Sequence, residues 1–109
     1  MPLFSRKTMT LHGIEISQER IAVFCHKNSI RRLALFGSIL RDDFGQNSDI
    51  DVLVEFQAGV RVGYFAIARM GRELTDIMGR AVDIRTPAEL HPSFRDEVMR
   101  EALTEYVAA

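Results

Sequence analysis

At 109 residues, 47% apolar and 27% charged, the chain reads as one globular domain with enough apolar content for a single core. Neither a run near the ~20 apolar residues of a membrane helix nor the apolar stretch and cleavage site of a signal peptide is present, and the lone Cys25 has no partner for a disulfide within the chain, so a cytoplasmic protein without membrane association is expected. The net charge of −1 divides unevenly, with six basic and two acidic side chains in residues 1–36 against eight and thirteen in residues 37–109; no basic patch is interleaved with aromatics, and direct nucleic-acid binding is not expected.

Residues 1–16 read as an N-terminal extension: Leu11, His12, Gly13 and Ile14 suit a short strand or a turn, and the first ten residues are expected to be mobile. A domain over residues 17–109 follows. Ser17 is an N-cap candidate, Glu19 suits the positive end of a helix, and Ile21, Phe24 and Cys25 recur at helical spacing until Asn28. Residues 31–36 and 50–56, rich in Leu, Val, Ile and Phe, read as strands.

Between and within these strands lies the stretch that carries chemistry, LFGSILRDDFGQNSDIDVLVEF. Gly37 and Ser38 are followed by ten residues and then by Asp49 and Asp51, spaced i, i+2 at the opening of the second strand. Two carboxylates at that spacing share one face, about 7 Å apart along the chain. Their mutual repulsion is relieved by a divalent cation, and hard oxygen ligands of this kind suit Mg²⁺, which takes one or two carboxylates plus substrate phosphates. Gly37 lets backbone N–H groups approach a phosphate, and the Ser38 hydroxyl adds a donor or a metal contact. The two halves meet only if the strands run antiparallel, so that arrangement is expected, with residues 39–48 as a loop holding one helical turn. Arg41 has two readings, as a fork for phosphate or as a partner of Asp42, Asp43 or Asp49. Ser48 has two as well, as an orienting hydrogen bond to Asp49 or as a nucleotide contact. Glu55 shares the parity of Asp49 and Asp51 but lies too far along the strand to join them.

A helix is expected over residues 61–78, its apolar stripe made by Ile67, Met70, Gly71, Leu74, Ile77 and Met78 and its end marked by Gly79. The segment 81–85 reads as a third strand. A strand, helix and strand joined in this way favour a right-handed parallel crossover, which brings Asp83 close to Asp49 and Asp51. The expected fold class is thus α+β, with a small mixed sheet: the first two strands antiparallel and the third parallel to the second. Ser93 is expected to cap a last helix with Phe94, Val98 and Leu103 as core contacts, and Tyr106 and Val107 to pack the tail down.

The strand, Gly-Ser, ten-residue and Asp-x-Asp pattern resembles the signature of the DNA-polymerase-β-type nucleotidyltransferase superfamily. Within it, the chain is most similar to the minimal nucleotidyltransferase (MNT) branch, from Ser17 onward. The resemblance implies an antitoxin that transfers AMP from ATP to a tyrosine of a cognate HEPN-domain toxin. It implies in-line attack on the α-phosphate of a nucleoside triphosphate with two Mg²⁺ ions, held by Asp49, Asp51 and Asp83. Gly37 and Ser38 would grip the β- and γ-phosphates, with Arg41 and Ser48 as further nucleotide contacts, and Asp83 would accept the proton of the incoming hydroxyl. The residues leave no room for an acceptor-recognition domain, so the acceptor is expected to be another protein. The alternative is a non-catalytic antitoxin that neutralises its toxin by binding alone; a small-molecule nucleotidyltransferase is disfavoured by the missing acceptor domain.

Overall fold

The computed structural model describes residues 8–109, which run β1 (Thr8–Leu11), β2 (Ile14–Ser17), α1 (Gln18–Lys27), β3 (Ile30–Phe36), β4 (Ile50–Phe56), α2 (Tyr64–Met78), β5 (Val82–Arg85), α3 (Pro92–Glu101) and β6 (Leu103–Val107). Short 3-10 turns occupy Gly37–Leu40 and Pro87–Glu89. The mobility expected for the first ten residues falls largely on residues 1–7, which lie outside the described residues. Residues 8–17 form a separate antiparallel hairpin that turns at His12 and Gly13.

The other four strands form one mixed sheet in the order β5-β4-β3-β6. β3 and β4 are antiparallel, and β5 runs parallel to β4, the α+β arrangement expected from the sequence. The parallel pair follows from α2, which carries the chain back across the sheet between β4 and β5. Strand alternation then sorts the side chains. Leu33, Leu35, Val52, Val54 and Ile84 face α1 and α2, where Ile21, Phe24, Cys25, Met70, Leu74 and Met78 complete one core with Ile16 of the hairpin. Each fully buried large apolar side chain here contributes about 1.5–3 kcal/mol. Burial also raises the Cys25 thiol to about 12, leaving it protonated and inert. Ala34 and Leu53, of the opposite parity, are buried outside that cluster on the far face.

Helix ends follow their local chemistry. The Ser17 hydroxyl accepts the Arg20 N–H at 3.2 Å, and Gly79, in the left-handed region at φ +67°, donates its N–H to Thr75 at 2.8 Å. α2 begins at Tyr64 rather than at residue 61, after an extended Gly63 that offers no side-chain cap. The last helix departs further from expectation. Its cap is His91, whose Nδ1 accepts the Ser93 N–H at 3.1 Å, and Pro92 takes the first helical position, where its fixed φ fits and no N–H is needed. α3 buries none of its residues: Phe94 is 46% exposed, and Leu103 lies beyond the helix in β6. Tyr106 does pack against the core, but as part of β6, which pairs with β3.

Candidate active site

The end of β3 and the starts of β4 and β5 meet at one edge of the sheet. Register places Phe36 opposite Asp51 and Asp51 beside Asp83. Because β4 and β5 are parallel and in step, both aspartates project from the face away from α1 and α2. Asp49 precedes the strand by one residue and is exposed.

Immediately after Phe36 the chain turns through Gly37 at φ +75°. A Cβ there would fall 2.3 Å from the Asp51 Oδ2 and 3.2 Å from its Cγ. Glycine is therefore required twice over, for the left-handed backbone and for the approach of main chain to carboxylate. The Ser38 N–H donates to Asp51, and the 3-10 turn closes with the Arg41 N–H on the Ser38 carbonyl at 2.9 Å. Gly37, Ser38, Asp51 and Asp83 are thus brought together.

Electrostatics mark Asp51 out. Burial raises its carboxyl above the usual range, and the charges of Asp83 and Asp49 raise it further, while Arg85 and the Ser38 N–H pull it down. Asp83 itself accepts from Arg85 Nη2 at 3.1 Å, and Arg85 Nη1 lies 3.8 Å from Glu89. Arg85 was not anticipated from the sequence, although its i+2 spacing from Asp83 on one strand was the available signal. Among the described residues no three acidic, histidine or cysteine side chains are gathered tightly enough to enclose an ion by themselves. The donor set nevertheless fits a hard cation completed by phosphate oxygens: an open row of carboxylates, one half-buried and repelled by its neighbours.

The remaining predicted contacts resolve differently. Arg41 is exposed and pairs with Asp43, Nε to Oδ1 at 3.2 Å, one of the carboxylate partners expected for it. The Ser48 hydroxyl accepts the Gly45 N–H at 3.0 Å while the Ser48 N–H bonds the Gly45 carbonyl at 3.1 Å. It closes the loop that delivers Asp49 instead of bonding Asp49 itself. Phe44, buried in that loop, contacts two residues distant in sequence: the His12 ring at 4.9 Å and the Arg80 guanidinium at 4.8 Å. No local pattern marks His12, Phe44 or Arg80 as neighbours.

Two hollows border the row. One, of about 950 Å³, runs between α2 and the outer edge of β5 and includes Asp83, Arg85 and Tyr64; the other, of about 520 Å³, lies between Gly37, Leu40 and Arg41 and the α3 residues Glu97, Val98 and Glu101.

Comparison with known proteins places this architecture. A family profile described as Nucleotidyltransferase domain matches residues 19–104. A proposed protein adenylyltransferase of Methanocaldococcus jannaschii is 34% identical over 89 residues, spanning 82% of this chain and 92% of that protein. The structure of a proposed minimal nucleotidyltransferase superposes with a TM-score of 0.65 at 32% identity, over 79% of this chain and 86% of the other. A chain from the complex of tri-AMPylated Shewanella oneidensis HEPN toxin with MNT antitoxin superposes with a TM-score of 0.60 at 17% identity, over 84% and 70% of the two chains, a likeness of fold.

Proposed function

This chain belongs to the nucleotidyltransferase domain family, and from that premise we propose that it is a metal-dependent protein adenylyltransferase, moving AMP from ATP to a tyrosine of a cognate HEPN-domain toxin. The observation that carries this reading is the row Gly37, Asp51, Asp83, in which backbone and carboxylates of three strands converge with like charges adjacent. A merely structural site has no use for such repulsion.

Asp49, Asp51 and Asp83 would hold Mg²⁺, which supplies charge neutralisation to the phosphates when bound. The protein's own groups do the rest. With the Ser38 N–H held by Asp51, the 3-10 turn would offer the Ser38 hydroxyl and the close approach of main chain at Gly37 to the β- and γ-phosphates, fixing the α-phosphorus for in-line approach. The tyrosine oxygen forms the new O–P bond, the bond from the α-phosphorus to the bridging oxygen of the β-phosphate breaks, and pyrophosphate leaves. The tyrosine proton passes to the Asp83 carboxylate, whose partner Arg85 holds it in place beforehand. An adenylyl group on the toxin adds bulk and negative charge where RNA phosphates must approach. ATP as donor and a protein acceptor both suit the cytoplasm.

The test is a titration of toxin RNase activity with this protein, with and without ATP and Mg²⁺. Catalytic neutralisation requires far less than one copy per toxin and depends on ATP, with AMP recovered on a toxin tyrosine. Equal stoichiometric inhibition by the wild type and by Asp49→Asn/Asp51→Asn would remove the transfer reading and leave neutralisation by binding.

A further inference from the structure

The three parts of the proposed site lie on separate segments: the 3-10 turn after β3, the loop before β4, and the start of β5. All three are tied together at one point away from the carboxylates. The His12 Nε2–H donates to the Ile39 carbonyl at 2.9 Å, inside the turn that begins with Gly37. The His12 ring also meets Phe44, the buried residue of the loop that ends in Asp49. Arg80, two residues before β5, covers Phe44 and donates from Nη2 to the Gly45 carbonyl. A cation over an aromatic ring and a bifunctional imidazole are specific contacts, beyond what loop closure needs.

The turn that presents His12 is itself informative. Leu11 pairs with Ile14, so His12 and Gly13 form a two-residue hairpin loop, with φ of +51° and +77°. Both central residues in the left-handed region define the type I′ geometry, which prefers asparagine, aspartate or glycine at its first position. A histidine there is a poorer turn former, and its ring is the part that reaches Ile39 and Phe44.

We propose that His12, Phe44 and Arg80 form a clamp that holds the phosphate-gripping turn in register with the three carboxylates, making His12 a positioning residue for nucleotide transfer. The inference rests on the transferase reading for its consequence, but the clamp is a physical claim of its own. His12→Asn is the diagnostic variant, because it improves the turn while removing the ring and its reach to Ile39. Hydrogen exchange is the first measurement. The variant should exchange the amides of residues 38–49 at least about tenfold faster, with the amides of β3 and β4 unchanged. Kinetics are the second: kcat for AMP transfer should fall about tenfold while KM for the protein acceptor holds, and Phe44→Leu should behave alike. A His12 that serves only the hairpin turn predicts an equally or more stable protein with wild-type exchange and kcat, and that result would overturn the clamp. Faster exchange in the variant of a wild type that transfers no AMP would uphold the clamp and discard the transferase reading. Wild-type exchange in the variant alongside normal transfer would do the opposite.

Discussion

Asp51 and Glu55 stand on one strand and one face of one sheet, yet their surroundings are opposite. Glu55 receives Arg31 Nη2 at 2.7 Å and Arg32 Nη1 at 3.1 Å, and Arg32 is held in turn by the Thr104 hydroxyl of β6. Every charge in that group has a partner, across three strands. Asp51 has two carboxylates for neighbours, and the nearest guanidinium, Arg85, is engaged with Asp83. The same residue chemistry therefore serves the fold at one end of β4 and opposes it at the other. What distinguishes a candidate site on this sheet is clustered like charge, and the backbone of Gly37 pressed against it, rather than the presence of acid as such.

Substitution should separate the two ends by sign. Asp51→Asn should lower AMP transfer by about a thousandfold or more while raising the melting temperature by up to about 5 °C, since it removes a half-buried charge and its repulsion. Labelled transfer and a thermal melt on the same sample read both. A variant that is less stable yet transfers AMP at the wild-type rate would put Asp51 in the class of Glu55.

Mg²⁺ should raise the melting temperature of the wild type by several degrees at a saturating concentration and leave Asp49→Asn/Asp51→Asn unmoved. A metal response that survives in the double variant takes these residues out of the site. Gly37→Ala should cost about 1–3 kcal/mol, from the left-handed backbone and the collision with the Asp51 carboxylate. Denaturant unfolding in the Asp51→Ala background should recover the steric part of that loss, a coupling between the two positions.

Glu55→Gln should act oppositely to Asp51→Asn, destabilising by about 1 kcal/mol through two under-partnered guanidinium groups, with transfer kinetics unchanged. Glu105 sharpens the comparison from another side. It is buried on β6, with Gln18 donating to Oε2 at 3.2 Å and Oε1 without a hydrogen-bond partner among the described residues. Burial raises its carboxyl, the Gln18 bond lowering it only in part, and no like charge takes part. A group raised in the folded state contributes its full stability below the unfolded carboxyl value of about 4.3 and loses it as pH climbs through the folded value. Glu105→Gln should therefore match the wild type in acid and exceed it modestly at pH 7, as urea midpoints at the two pH values would read, without effect on transfer. Burial by itself raises a carboxyl and signals no chemistry.

Much of this was legible without a structure. The alternating apolar runs of β3 and β4, the stripe of α2, and the caps at Ser17 and Gly79 are local signals. Local signals survive folding when they agree with the core they help to build. The Gly-Ser and Asp-x-Asp spacing was informative because it constrains two strands at once. The N-terminal hairpin and β6 were poorly legible, since a strand of four or five residues has little periodicity and exists only through its partner. α3 was poorly legible because Phe94 and Val98 imitate a core face at helical spacing, whereas the helix buries none of its residues.

The sequence by itself singled out the residues proposed for the chemistry, because a glycine turn followed by a carboxylate pair at that spacing constrains two strands at once. Tertiary structure decided which of them meet. Asp83 joins Asp51 only through the parallel register that α2 imposes, Arg41 turns to Asp43 because that partner is two residues away, and His12 reaches Ile39 across 27 positions through a hairpin docked on the core. Distances between segments far apart in sequence are set by the packing of everything between them, and no local pattern encodes that sum.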